Sequence, residues 1–206
     1  MPTRIAVVDY GAANMVSITK ALAAVGAEVS VAVDSAGFER VDAIVVPGVG
    51  AARAAMVQLD AQGLRGPILD WAIAGRPMLG ICLGFQLLFE ASDEGDAKAL
   101  GVLSGRTLEL ADAPTLPHIG WNSVSFAQPS RLFDGVPDGS YFYFVHSYAP
   151  EPTDGSLVLG RTTHGRSFVS AVGREQLFGV QFHPEKSSDT GLRVLANFLG
   201  IVEEAR

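Results

Sequence analysis

The chain has 206 residues, of which 48% are hydrophobic and 18% are charged, a composition that suits one sizeable core and is short for two independent domains. The net charge of −7, with Lys and Arg scattered singly, argues against a nucleic-acid partner. No secretory signal and no apolar run approaching roughly 18 residues is present, and the lone cysteine excludes an internal disulfide, which predicts a cytoplasmic protein without a membrane segment.

The first half of the chain alternates between strand-like and helix-like segments. Buried strands are predicted over 5–8, 28–33, 43–46 and 78–81. Helices are predicted over 14–25, 51–59 and 68–74. This alternation is typical of a mostly parallel sheet covered by helices.

The second half, from about Ser104, is mostly strand-like. Runs joined by Gly, Pro and Asp turns predict strands over 106–110, 122–126, 141–145, 157–162, 168–172 and 177–182. A last helix is predicted over 189–199, with an apolar stripe that faces the core. The whole pattern indicates an α/β fold whose central parallel sheet is followed by a β-rich half.

The single cysteine, Cys82, lies where the strand 78–81 meets a helix-like run. Gly80 and Gly84 flank it with the spacing that G-x-S-x-G gives a serine nucleophile, where small neighbours permit a sharp turn. Free N–H groups and the positive end of the helix dipole favour a thiolate there. The alternative is a buried structural cysteine, since free Cys packs as a small hydrophobe, and a nearby base would decide between the two.

The strongest candidate for that base follows the strand 177–182. His183 and Glu185 are separated by one residue, so in an extended chain Glu185 can orient the imidazole. With Cys82 they would form a nucleophile, base and acid triad. A structural histidine or a His-x-Glu metal pair remains an alternative, although no third or fourth ligand has a recognisable spacing and His118, His146 and His164 are scattered.

Acyl transfer also needs donors for a developing oxyanion and contacts for a substrate. The N–H of Leu83 is one natural donor, and the turn 47–50 can present a second from Val49 or Gly50. Gln86 lies one helical turn beyond Cys82 and should face the same cleft, where its amide can bind a polar substrate. No glycine-rich nucleotide motif is present, and we expect no cofactor.

The segments 80–86 and 181–185 together resemble the class I, or triad, glutamine amidotransferases. Within that family, the segments 9–11, 47–50, 118–122, 143–148 and 183–187 look like the glutaminase subunit of imidazole glycerol phosphate synthase. The likeness covers nearly the whole chain. It implies one class I glutamine amidotransferase domain over residues 1–206.

The resemblance implies an activity and a partner. L-glutamine would be hydrolysed to glutamate and ammonia, and the ammonia would pass to a (β/α)₈-barrel cyclase subunit that makes imidazole glycerol phosphate in histidine biosynthesis. The glutaminase would stay weak until that cyclase binds its ribonucleotide substrate. Competing hypotheses are a glutaminase for anthranilate or pyridoxal phosphate synthesis, a catalytically silent scaffold, and a thiol peptidase.

The resemblance also assigns residues. The triad falls on Cys82, His183 and Glu185, the oxyanion donors on Val49 and Leu83, the glutamine contacts on Gly50, Gln86, Ser147 and Tyr148, and the partner-facing residues on Asn14, Trp121, Tyr143 and Lys186. Trp121 could instead be a buried core residue. One departure from the family is Ala13, where a second glycine usually precedes the asparagine, because alanine disfavours positive φ.

Overall fold

Fourteen strands and five helices follow one another in the computed structural model, which describes residues 1–206. The strands β1 to β14 are Arg4–Val8, Glu28–Ala32, Ala43–Val46, Met78–Ile81, Ala91–Ser92, Ala97–Lys98, Gly105–Glu109, His118–Ser123, Ser125–Phe126, Tyr141–His146, Tyr148–Pro152, Val158–His164, Arg166–Arg174 and Leu177–Val180. The helices α1 to α5 are Met15–Ala24, Ala52–Ala61, Arg65–Ile73, Leu83–Gln86 and Ser188–Glu204. Single 3₁₀ turns occupy Ser35–Phe38, Arg131–Phe133, Gly155–Leu157 and Pro184–Lys186.

The largest sheet has eight strands in the order β2-β1-β3-β4-β14-β13-β12-β9. Its first five strands pair in parallel, and the last three join them antiparallel. Two smaller sheets, β10-β8 and β11-β7-β5-β6, lie in the β-rich half. The predicted α/β architecture is therefore confirmed, and the carboxyl ends of β1, β3, β4 and β14 meet at one edge, where α/β sheets bind ligands.

Two apolar cores cover the opposite faces of this sheet. In β1, Ile5 and Val7 pack into one core with α1 and α5, whereas Ala6 and Val8 pack into the other with α2 and α3. Strands buried on both faces need continuous apolar runs, which is why this half of the chain shows no polar alternation. The last helix buries Leu195 and Leu199, as its stripe predicts. No helix is both long and apolar enough to cross a membrane.

Several element boundaries differ from the predictions. The strand predicted over 122–126 is two strands in different sheets, β8 and β9, which are interrupted at the buried Val124. β5 and β6, of two residues each, have no periodicity to detect, and the sequence does not predict β11 because that strand contains Pro150 and Pro152. The helix after Cys82 is a single turn, because the following N–H groups of Leu88 and Phe89 bond three residues back.

Candidate active site

The turn at Cys82 has the strained geometry that its glycines predict. Cys82 adopts φ 52° and ψ −110° directly after β4. A Cβ at Gly84 would overlap the Val46 carbonyl, and one at Gly80 would come within 2.9 Å of the Gly84 carbonyl oxygen. Both neighbours must therefore be glycine for the backbone to bend so sharply. Strained backbone of this kind is concentrated at functional sites.

A buried imidazole–carboxylate pair lies at the end of the neighbouring strand. β14 pairs in parallel with β4, and the Cys82 N–H donates to the Val180 carbonyl oxygen at 2.8 Å. Beyond β14, His183 Nδ1–H donates to Glu185 Oε1 at 2.8 Å, and these side chains are only 3% and 5% exposed. Nε2 of His183 has no hydrogen-bond partner, so this nitrogen remains for proton transfer.

The electrostatics of the pair favour a charged imidazole. Burial alone lowers the pKa of His183, but the interactions with Cys82 and Glu185 outweigh it and raise that pKa to about 10. An imidazolium held beside the sulfur stabilises a thiolate.

One cavity collects the predicted glutamine contacts around Cys82. Its lining residues include the predicted Val49, Gly50, Leu83, Gln86, Ser147 and Tyr148. Three further residues, Glu94, Val145 and His146, also line it, and the sequence indicates no role in the site for any of them. Glu94 follows the short strand β5, and its Oε2 accepts the Ala52 N–H at the start of α2, at 2.8 Å. Glu94 reaches this cavity because of β5 and β6, and the sequence carries no signal for either of these short strands.

The side-chain amide of Gln86 has its N–H groups occupied by the protein and its oxygen free toward the cavity. Its Nε2 group donates to the Tyr148 carbonyl oxygen at 2.8 Å and to Gln181 Oε1 at 3.1 Å, which uses both N–H bonds. Oε1 of Gln86 accepts no hydrogen bond, and it is not a fully buried atom. The side chain therefore offers a substrate an acceptor and no donor.

The two predicted oxyanion donors are not free in this conformation. The Val49 N–H donates to the Ala12 carbonyl oxygen at 2.6 Å, and the Leu83 N–H donates to the Gly48 carbonyl oxygen at 3.3 Å. The Gly50 N–H donates to no protein atom. The site thus has a nucleophile and a base, and its oxyanion donors are occupied by the protein's own carbonyls.

The expectation that the other histidines are scattered is wrong. The rings of His118 and His164 stack with centroids 4.1 Å apart, and His118 Nδ1 lies 3.1 Å from His146 Nε2. His146 Nδ1–H donates to the Tyr148 carbonyl oxygen at 2.8 Å, which fixes Nε2 as the acceptor of the His118 Nδ1–H. Burial and the neighbouring His164 lower the pKa of His118 to about 4. Burial, with smaller contributions from the other histidines, lowers the pKa of His146 to about 3. No group of three or more His, Cys, Asp or Glu side chains is arranged to hold a metal.

Three of the four residues predicted to face a partner, Trp121, Tyr143 and Lys186, lie together at the small β8–β10 sheet. Trp121 is 51% exposed, so the alternative of a core tryptophan is wrong. Tyr143 pairs with it across the strands, their ring centroids 6.2 Å apart, and Lys186 Nζ lies 5.8 Å from the Tyr143 ring centroid. Asn14 is exposed, and its Oδ1 accepts the Ser17 N–H at 3.3 Å, which caps α1.

The backbone of Tyr143 connects this surface to the triad. The His183 N–H donates to the Tyr143 carbonyl oxygen at 2.9 Å, and the Tyr143 N–H donates to Ser187 Oγ at 3.0 Å. The segment that carries His183 and Glu185 is therefore hydrogen-bonded to β10, the strand that contributes Tyr141 and Tyr143 to this surface.

Comparisons with known proteins agree with this architecture. A family model described as glutamine amidotransferase class-I matches residues 6–201. The chain is 46% identical to the imidazole glycerol phosphate synthase subunit HisH of Moorella thermoacetica, over 98% of this chain and 96% of that one. It is 48% identical to the same-named subunit of Dechloromonas aromatica, over 95% of each. The structure of PurLQS from Thermotoga maritima matches with a TM-score of 0.75 at 20% identity, covers 97% of this chain and 99% of its own, and supports the fold alone.

Proposed function

The chain belongs to the class I glutamine amidotransferases, and we propose that it is the glutaminase subunit of an imidazole glycerol phosphate synthase. Full-length identity of 46 and 48% to subunits of that name supports the choice of synthase. The observation that carries the glutaminase activity is the strained Cys82 beside the buried His183–Glu185 pair. We assign the whole of residues 1–206 to one amidotransferase domain.

In the first half-reaction, the Cys82 thiolate attacks the side-chain amide carbon of glutamine. His183, charged at neutral pH, protonates the departing nitrogen through Nε2, and ammonia leaves. The products of this step are ammonia and a γ-glutamyl thioester on Cys82. Glu185 accepts the Nδ1–H at 2.8 Å, and thereby fixes the tautomer that presents Nε2 to the reaction.

In the second half-reaction, neutral His183 removes a proton from water. The resulting hydroxide attacks the thioester carbonyl, the C–S bond breaks, and glutamate is released as the Cys82 thiolate is restored. The 3% exposure of His183 limits competing proton exchange with bulk water during this step.

The cavity has the polarity that an amino acid requires. Glu94 and the free Oε1 of Gln86 are acceptors for the substrate ammonium group. The free Gly50 N–H is a donor for the carboxylate, with Ser147 and Tyr148 on the facing wall. This division places the glutamine side chain toward Cys82.

The occupied oxyanion donors explain why such a glutaminase would be slow on its own. The Val49 N–H has to leave the Ala12 carbonyl before it can stabilise a tetrahedral intermediate, and one such donor is worth about 10²–10³-fold in rate. Gly48 and Gly50 flank Val49 and permit that rotation. Ala12 lies two residues before Asn14, so a partner that contacts Asn14 can release the bond.

The partner is a cyclase subunit that docks on the exposed aromatic surface and receives the ammonia. The surface is formed by Ile119, Trp121, Tyr141, Tyr143 and Lys186. Exposed aromatics of this kind are the usual anchors of an interface. We propose a (β/α)₈ barrel as the fold of this cyclase, and imidazole glycerol phosphate as its product.

The test is glutamate release from glutamine by the purified chain, alone and with the cyclase subunit and its ribonucleotide substrate. Strong release that requires the loaded partner and disappears in Cys82→Ala is expected. Release that persists in a folded Cys82→Ala protein would remove the proposed nucleophile. Release that only an anthranilate or pyridoxal phosphate synthase partner stimulates would assign the chain to that synthase, and no release under any condition would favour the silent scaffold.

A further inference from the structure

Gln181 is a fully buried polar side chain between the nucleophile and the substrate-facing Gln86, and nothing above assigns it a role. It is 0% exposed. Its Nε2–H donates to Cys82 Sγ at 3.7 Å, and its Oε1 accepts from Gln86 Nε2 at 3.1 Å. One amide therefore contacts the reacting sulfur with its donor and the cavity wall with its acceptor.

The sheet fixes where this amide points. Val180 of β14 pairs with Ile81 of β4, so Gln181 and Cys82 are the next residues along two parallel strands. The Gln181 N–H donates to the Ser170 carbonyl oxygen at 2.9 Å, which holds its backbone against β13. Residues two apart in extended chain face the same side, so Gln181 and His183 both face Cys82, while Phe182 between them packs into the core.

Two contacts of the Cys82 sulfur select opposite protonation states. The thiol S–H can donate to the Val145 carbonyl oxygen at 3.8 Å, which favours the neutral form. The Gln181 N–H can bond a sulfur anion, and a hydrogen bond to a charged acceptor is about twice as strong as a neutral one. Without Gln181, His183 would be the only side chain left to oppose the Val145 carbonyl.

We infer that Gln181 is a positioning residue, whose amide N–H holds the Cys82 sulfur as a thiolate while its carbonyl oxygen holds the Gln86 amide against the cavity. It acts through the nucleophile and through Gln86, without itself touching glutamine. Its kinetic consequence rests on the proposed glutaminase function. The protonation state of the Cys82 thiol does not depend on that function, because an alkylating reagent reports it without glutamine.

Several other titratable groups lie around the Cys82 sulfur, and their effect on its ionisation must be distinguished from that of Gln181. They are His183 with its partner Glu185, the Tyr10 hydroxyl, which is held on the Pro47 carbonyl oxygen at 2.8 Å, and the cavity-lining Glu94, His146 and Tyr148. Burial and the Cys82 charge raise the pKa of Tyr10, so it stays neutral. None of these groups is altered when Gln181 is replaced.

The experiment is the pH dependence of Cys82 alkylation by iodoacetamide in the full chain. Gln181→Met keeps the volume and removes the donor, so the midpoint should rise by about one pH unit, and the rate at pH values well below both midpoints should fall about tenfold. Gln181→Glu replaces the donor with an acceptor and should shift the midpoint further. Gln58→Met and Gln58→Glu, on the exposed face of α2, make the same changes away from the site and should leave the profile unchanged.

A cooperative thermal transition verifies that each variant is folded. Folded Gln181→Met and Gln181→Glu proteins with the wild-type alkylation profile would overturn the inference, whatever the glutaminase assay gives. If neither variant folds, the assigned side-chain amide resonance of Gln181 in the wild type decides. Movement of that resonance with the alkylation midpoint supports the inference, and its independence of Cys82 ionisation contradicts it.

Discussion

The Val49 N–H donates to the Ala12 carbonyl oxygen at 2.6 Å, although the Val49 side chain is 43% exposed at the mouth of the active-site cavity. This bond joins the turn after β3 to the segment that leads into α1. It removes an oxyanion donor from the cavity and attaches it to a segment next to the partner-facing Asn14.

The Val49 amide should therefore report activation directly. In the isolated chain its hydrogen exchange should be slow for an exposed turn, because the N–H is bonded within the protein. Adding the cyclase subunit with its ribonucleotide should break the bond and shift the Val49 amide resonance. The neighbouring Gly50 amide, which has no protein acceptor, is the internal control for fast exchange. A Val49 amide that exchanges as fast as Gly50 in the isolated chain would contradict the proposed gating.

Glu94→Gln should raise the KM for glutamine about tenfold or more, with a smaller effect on kcat, because it removes the one carboxylate lining the cavity. The amide oxygen of the new side chain can still accept the Ala52 N–H, so the start of α2 should be unchanged. Glu90→Gln is the matched control. Glu90 also accepts a backbone N–H, from Gly105 at 2.9 Å, but it does not line the cavity. Steady-state kinetics of the stimulated enzyme would measure both, and equal KM values in the two variants would count against the ammonium site.

Trp121→Ala should weaken cyclase binding by about 2 kcal/mol or more, or roughly thirtyfold in Kd, because large exposed aromatics at an interface are typical hot spots. The melting temperature should change little, since the side chain is half exposed. Ile73→Ala, at an 82% exposed position on α3, makes a comparable apolar truncation elsewhere and should bind normally. Titration calorimetry checks both, and normal affinity in Trp121→Ala would exclude this surface as the interface.

The sequence predicts the centre of this site better than its walls. Cys82 and His183 follow buried strands and carry glycine or proline neighbours, so local chemistry alone indicates their roles. Glu94 and Gln181 carry no such signal. Glu94 reaches the cavity from two-residue strands without periodicity, and Gln181 acquires its contact from the parallel register of β14 with β4.

Three buried histidines with opposite pKa shifts should give the free energy of unfolding a maximum near pH 6.5. His183, raised to about 10, contributes stability that is present below pH 6.5 and is lost as the pH rises toward 10. His118 and His146, lowered to about 4 and 3, contribute stability that is present above pH 6.5 and is lost as the pH falls toward those values. Each group contributes a slope of at most about 1.4 kcal/mol per pH unit.

Two variants separate the limbs of that curve. His146→Gln keeps a side-chain donor for the Tyr148 carbonyl but does not titrate, so the acid limb should become shallower by up to about 1.4 kcal/mol per pH unit while the alkaline limb is unchanged. His183→Gln should do the reverse. Urea unfolding from pH 4 to pH 9 measures both, and the difference from the wild type removes the contribution of the carboxylates. An acid limb that His146→Gln leaves untouched would mean that His146 is charged in the folded protein, and would break the tautomer assignment that makes its Nε2 the acceptor of the His118 Nδ1–H.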